Sequence, residues 1–394
     1  VAVWVMLFSV VVPTTPRIGL VSAALSVVAV PITYAIGVAL SSNVPLAPDA
    51  FFFSLVFPYF VILIMVYASG RVVYRLGAEV RRARELGSYR LVERLGEGGM
   101  GEVWRAQHRM LARPAAIKLI RPEMLGATNF ESRRLLLRRF EREAQATALM
   151  RSPHTMNVYD FGAADDGTFY YVMELLDGFD LDELIDRFGP VPAERAVYFL
   201  RQMCDSLGEA HEAGLIHRDV KPANVYVCRY GREPDFIKLL DFGLVKHGVS
   251  ERGAEKLTAG FVAGGTPAFM SPEQALGEEQ VDHRSDIYAV GCVAYWLLTG
   301  TLVFKGSTPM ETILMHVDRE PEPPSQRTEL RIPPQLETIV LACLAKKPEA
   351  RPQTADELAA RLSSVPLARE WNVARAREWW NINRPVTQSV GLGA

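Results

Sequence analysis

Five residues that could do chemistry together fall within eight positions of the stretch LIHRDVKPANV, residues 215–225: His217, Arg218, Asp219, Lys221 and Asn224. An aspartate there could take a proton from a hydroxyl, a lysine two positions on could neutralise a travelling anion, and an asparagine oxygen suits a hard cation. A solvated surface turn would hold the same mixture and do nothing, so the reading depends on what else the chain supplies. It supplies three further pieces. Gly96, Gly98 and Gly101 form G-x-G-x-x-G within LGEGGMGEV, Lys118 sits in the apolar run PAAIKLI, and Asp241 opens DFG at 241–243.

Each piece needs an element to hold it. The glycine pattern alone also marks dinucleotide-binding folds, where the loop opens a helix. Here EVWRA resumes β-type alternation through Val103 and Trp104, so the pattern predicts strand, glycine turn, strand, with backbone N–H groups folded over phosphates. Lys118 in a strand is either a snorkelling edge residue or a buried cation with a carboxylate partner. The helical periodicity of 133–150, with an apolar face through Leu136, Phe140, Ala144 and Ala148, offers Glu141 and Glu143. Spacing alone does not choose between them.

Composition divides the chain. Between Ile18 and Gly70 the only charged residue is Asp49. Residues 18–40 and 51–69 are each long and apolar enough for a bilayer core of about 30 Å, and 1–12 reads as the end of a further span. Pro31 and Pro58 are tolerated in such helices. Arg71, Arg75, Arg81, Arg82 and Arg84 follow the last span, and the 41–50 loop has no Lys or Arg. The positive-inside rule therefore puts 71 onward in the cytoplasm and 41–50 outside. The expectation is a multi-pass protein of the cell (inner) membrane, with the lipid bilayer as one partner. Four separated cysteines without a CxxC pair suit a reducing compartment, and a net charge of −2 gives no reason to expect nucleic acid. The chain opens on Val1, as a piece of a longer protein would.

In order, the Gly-rich loop, strand lysine, helix glutamate, H-R-D-x-K-x-x-N, D-F-G and the S-P-E at 271–273 resemble the protein kinase signature set. DIYAVG at 286–291 and the Arg-Pro at 351–352 fit later landmarks, and by the resemblance Glu273 and Arg351 are available as a structural ion pair. FEREAQ and SPEQ make the chain similar to bacterial membrane-anchored, eukaryotic-like Ser/Thr protein kinases. The resemblance implies an α+β, bilobal protein kinase fold, with a small β-rich N-lobe at 89–173 and a larger helical C-lobe at 177–363, preceded by transmembrane helices. The region 1–70 would then be membrane, 71–88 a helix-permissive juxtamembrane linker, and 364–394 a C-terminal tail.

By the same resemblance, Gly96, Gly98, Gly99 and Gly101 cover the ATP phosphates, with Leu95, Val103, Ala116, Glu174 and Leu176 around the nucleotide. Lys118, oriented by Glu143, holds the α- and β-phosphates. Asp219 takes or orients the acceptor proton, Lys221 neutralises the phosphoryl group, and Asn224 and Asp241 bind Mg²⁺, for which Mn²⁺ can stand in. Lys221 and Thr266, in GTP at 265–267, carry the Ser/Thr pattern, so the implied partners are protein substrates bearing Ser or Thr. Arg218 implies an activation-loop phosphate, with Thr258 the favoured site and Thr266 spared, added in trans by self-association. Tyr226 departs from the aliphatic floor that the family places under adenine, and either stacks on the base or turns away. A scaffold without activity is disfavoured because Lys118, Asp219 and Asp241 are all present. A transporter is disfavoured because the spans carry no charge. The tail holds Trp371, Trp379 and Trp380 at irregular spacing, which favours packing on the C-lobe over a membrane-surface helix.

Overall fold

The computed structural model describes residues 85–98, 101–111, 113–120, 130–164, 167–242, 267–278 and 281–384, with short pieces between 32 and 65. The chain divides into two units, Val1–Leu91 and Val92–Ala394. In the first, a helical turn spans Pro48–Phe51, and strand β1 (Glu85–Leu86) pairs with the start of β2 (Tyr89–Gly98). The linker was expected to permit helix up to residue 88. Its end is instead a hairpin, because Gly87 at φ +55 allows the tight turn that reverses the chain. The predicted spans lie largely outside the described residues, and among the described residues no helix is long and apolar enough to cross a membrane.

The N-lobe is a six-stranded sheet in the order β1-β2-β3-β4-β6-β5, formed with β3 (Gly101–His108), β4 (Pro114–Ile120), β5 (Val158–Ala163) and β6 (Phe169–Glu174). Helix α1 (Phe130–Ala148) carries the periodic apolar face. Phe140 and Ala144 are buried with Ile120, Phe169 and Tyr171, while Ala148, expected on that face, is exposed at the helix end. Strand β7 (Asp177–Asp180) begins the C-lobe and pairs with β8 (Val225–Tyr230), which pairs with β9 (Glu233–Leu239). Helix α2 (Leu181–Phe188) starts where the Asp180 side chain accepts the Glu183 N–H at 2.8 Å. The C-lobe core is built around α3 (Ala193–Glu212) and α5 (Arg284–Thr299), with α4 (Pro272–Ala275), α6 (Pro309–Asp318), α7 (Pro334–Cys343) and α8 (Ala355–Ser363) packed about them.

A buried ion pair and a helix cap help fix this lobe. Arg351 forms a buried bidentate pair with Glu273, Nη1–Oε1 at 2.7 Å and Nη2–Oε2 at 2.8 Å, as the sequence had suggested. Ser271 caps α4 in a capping box with Gln274, which presents Glu273 to the arginine. All four cysteines are buried, and burial pushes the thiols of Cys228 and Cys343 up to about 12 and those of Cys204 and Cys292 higher still.

His316 on α6 is fully buried, its Nδ1 2.8 Å from the Tyr288 hydroxyl. Burial, and then the Lys346 charge, hold its pKa down to about 4, against an ordinary 6.5. As pH falls from 6.5 to 4, the unfolded chain takes up a proton that the folded chain refuses. The stability is therefore complete above pH 6.5 and declines below it by up to about 3 kcal/mol. His316→Gln, which does not titrate, should flatten that decline. Urea unfolding of both proteins at several pH values between 4 and 7 checks it, and parallel pH profiles would refute it.

The segment after α8 packs onto the C-lobe through helix α9 (Val373–Asn383). Asp235, in β9 at φ +56, is fully buried. Its carboxylate accepts from Arg195 Nε at 2.9 Å and Nη2 at 2.7 Å, from Trp371 Nε1 at 2.9 Å and from Trp380 Nε1 at 2.6 Å. Trp380 also stacks on Phe179, and Trp379 lies edge-on to Phe188. The irregular tryptophan spacing is thus explained: two indole N–H groups serve one buried carboxylate.

Candidate active site

The stretch 217–224 is held by its backbone. Asp286, buried at the start of α5, accepts the N–H groups of His217 and Arg218, both at 2.8 Å, and lies 2.9 Å from His211 Nε2. Arg218 at φ +61 is thereby kept in the left-handed region, which costs an arginine about 1 kcal/mol or more. His217 Nδ1 accepts the Asp219 N–H at 3.3 Å, so Nε2 carries the hydrogen that it gives to the Leu240 carbonyl at 2.8 Å. Its ring faces Phe242 with centroids 4.6 Å apart. This ties the HRD stretch to the DFG stretch.

Asp219 has a lysine and an asparagine at its carboxylate. Lys221 Nζ stands 3.1 Å from Oδ2, and Asn224 Nδ2 donates to the same oxygen at 3.0 Å and to the Asp219 carbonyl at 2.8 Å. Nearby, Asp182 in the first turn of α2 is pushed up to about 6 by burial and then by Asp180 and Asp186, against the charge of Lys221.

The N-lobe contributes from above. Val103, Lys118 and Tyr171 lie side by side across β3, β4 and β6, and Ala116 is opposite Met173. Lys118 Nζ contacts Asp241 Oδ2 at 2.5 Å, and the Tyr171 hydroxyl donates to Asp241 Oδ1. Burial alone would raise the Asp241 pKa. The Lys118 charge and the hydrogen bonds from Lys118 and Tyr171 together outweigh it and hold the carboxyl below its ordinary range. Tyr171 moves the other way, well above an ordinary phenol, through burial and then the Asp241 charge. It therefore remains a hydrogen donor.

Gly101 shows why the loop needs glycine. At φ +150 a Cβ there would fall 1.7 Å from the Leu119 carbonyl oxygen, so β3 could not lie this close to β4 with any other residue. Gly96 and Gly98 lie at the end of β2, Leu95 is exposed on it, and β3 begins at Gly101, so the glycines stand between two strands. Leu176 lies in the link between β6 and β7. Glu174 turns its side chain away from this face, to Lys238 Nζ at 2.7 Å and the Asn157 N–H at 2.8 Å, so only its backbone is left to serve a nucleotide. Tyr226 is half-buried, and its hydroxyl donates to the Gly178 carbonyl at 3.0 Å, which ties the ring to β7. Gly99, Thr258, Thr266 and the side chain of Glu143 lie outside the described residues.

Sequence reasoning missed Tyr171. Its signal was the alternation of FYYVME, which puts residue 171 on the same face as Phe169 and Met173, yet a tyrosine there reads as core. The donor set fits a hard divalent cation. Asp241 offers a carboxylate held ionised, and Asn224, with its nitrogen on Asp219, is left with its oxygen. Among the described residues no group of three or more His, Cys, Asp or Glu could hold a metal alone.

Residues 89–362 match the family described as the protein kinase domain. The serine/threonine-protein kinase pkn3 of Myxococcus xanthus is 41% identical over 283 residues, 71% of this chain and 50% of its own length. PknB of Mycolicibacterium smegmatis is 39% identical over 280 residues, 70% of this chain and 43% of its own. The chain spans half or less of the length of these curated relatives. The crystal structure of the Mycobacterium tuberculosis PknI kinase domain superposes with a TM-score of 0.54 at 27% identity, over 71% of this chain and 96% of that one. The family works with ATP and a divalent metal. With its two lobes, its HRD and DFG stretches joined and its family match across both, the chain belongs to the protein kinase domain family, among the eukaryotic-like serine/threonine kinases of bacteria.

Proposed function

We propose that this chain is a membrane-anchored Ser/Thr protein kinase that moves the γ-phosphoryl group of ATP, with Mg²⁺, to Ser or Thr hydroxyls of proteins, itself included. The observation that carries the reading is Asp219, flanked by Lys221 and Asn224 and tied through His217 to the Asp241–Lys118 pair. Asp219 orients the acceptor hydroxyl and takes its proton. Lys221, 3.1 Å away, offsets charge on the phosphoryl group as it moves. Lys118 leaves Asp241 for the α- and β-phosphates, and Gly96, Gly98, Gly99 and Gly101 close over them. When bound, the cation at Asp241 and Asn224 supplies Lewis-acid stabilisation of the phosphate oxygens, Mg²⁺ in the ordinary case and Mn²⁺ as a substitute. Full-length chain in detergent, given labelled ATP and a Ser/Thr-rich acceptor protein, should yield phosphoserine and phosphothreonine. Mass spectrometry should find the chain's own phosphate on Thr258. Label confined to tyrosine would overturn the Ser/Thr reading, and an active chain without phosphate between 241 and 273 would overturn control through Arg218.

Anchoring rests on the uncharged runs at 18–40 and 51–69 and on the arginines after residue 70. In cells, a Ser42→Cys chain should react with an impermeant maleimide added outside, and a Ser88→Cys chain should not. The reverse pattern would refute the cytoplasmic placement of the kinase domain.

A further inference from the structure

Among the described residues the Asp241 carboxylate has two hydrogen-bonding partners of opposite character. Lys118 reaches Oδ2 on a flexible four-carbon stem that can turn its ammonium to another anion. Tyr171 cannot follow. Its side chain is 1% exposed, its ring packs against Phe140 with centroids 6.3 Å apart, and β6 pairs with strands on both sides. Asp241 itself sits at φ +55, a conformation that persists only where the surroundings hold it.

We propose that Tyr171 is a positioning residue for the metal-holding aspartate. Its buried hydroxyl pins Oδ1 of Asp241, so that Oδ2 exchanges Lys118 for a divalent cation without the carboxylate turning. The inference rests on the kinase reading for the identity of that exchange. The hydrogen bond itself belongs to this chain.

The test measures binding rather than turnover, on full-length chain in detergent. Affinity for a non-hydrolysable ATP analogue is measured by calorimetry with and without Mn²⁺, and bound Mn²⁺ is followed by its paramagnetic resonance. Tyr171→Phe keeps the ring and removes the donor. It should leave metal-free analogue affinity within about twofold of the parent and weaken Mn²⁺ binding by about 10- to 100-fold, the usual loss when a ligand's supporting hydrogen bond is removed. In an Asp241→Asn background the same substitution should cost no further Mn²⁺ affinity, whereas a purely packing role would cost the same in both. If the Phe variant fails to fold, 4-aminophenylalanine at 171 keeps a donor and 4-methylphenylalanine matches its size without one. The first should bind Mn²⁺ like the parent and the second about 10- to 100-fold less well. Equal Mn²⁺ affinity in parent and Tyr171→Phe, or in the two analogues, overturns the proposal. If the parent gains no analogue affinity from Mn²⁺, the kinase reading fails and the proposal falls with it. If the parent gains and Tyr171→Phe gains as much, the proposal alone falls.

Discussion

Full-length chain carrying Asp219→Asn is expected to turn over about 10²- to 10⁴-fold more slowly than its parent, the usual range for losing a positioned acid–base group. The substitution is nearly isosteric. An amide oxygen turned toward Lys221 and the Asn224 nitrogen can keep both contacts that the Oδ2 oxygen makes now, at 3.1 and 3.0 Å. The Asp286 anchor on the backbone of 217 and 218 is untouched. Folding and ATP affinity should therefore survive while proton acceptance is lost. The decisive measurements are kcat, KM for ATP and the melting temperature. A kcat within threefold of the parent would remove Asp219 from the chemistry. A large drop in melting temperature would mean that the residue acts through structure.

The largest stability effect should come from Asp235→Ala. It strands the Arg195 guanidinium, 2% exposed, and two indole N–H groups. Removing one partner of a buried ion pair costs about 3–5 kcal/mol, and each stranded indole donor adds about 1 kcal/mol or more. Against total stabilities of about 5–15 kcal/mol, that is a large fraction. The melting temperature should fall by about 10 °C or more. Asp235→Asn, which keeps an acceptor, should lose less. Calorimetry that finds the Ala variant within about 2 °C of the parent would show that this carboxylate does not hold the tail.

How much of this could be read in advance depended on the distance over which a residue finds its partner. Strand–glycine turn–strand was legible because glycine and β-alternation are local signals. The Glu273–Arg351 pair was legible because a family pattern links residues 78 apart in sequence. The Glu143 side chain expected beside Lys118 lies outside the described residues, and the described partner of Lys118 is Asp241, 123 residues on. Nothing in the spacing of either residue announces that contact. Asp235 lies in REPDF, which reads as a polar turn. Its burial follows from Arg195 and two tryptophans on three other segments, and only the assembled lobe brings those together. Tyr171 was hidden differently, since a phenol among aromatic core residues gives no sign of which way its hydroxyl points.

The buried cysteines make the chain convenient for labelling chemistry. Maleimides react with the thiolate, and a thiol with a pKa of about 12 is ionised less than about once in 10⁴ at neutral pH, even before its lack of exposure is counted. A single cysteine introduced at an exposed position, such as one replacing Ser88, would outreact all four native thiols while the domain is folded. No cysteine-free background is needed to attach a fluorophore, a spin label or an impermeant probe. The same inertness gives an unfolding assay at no extra design: native thiols that become reactive report that the C-lobe has opened.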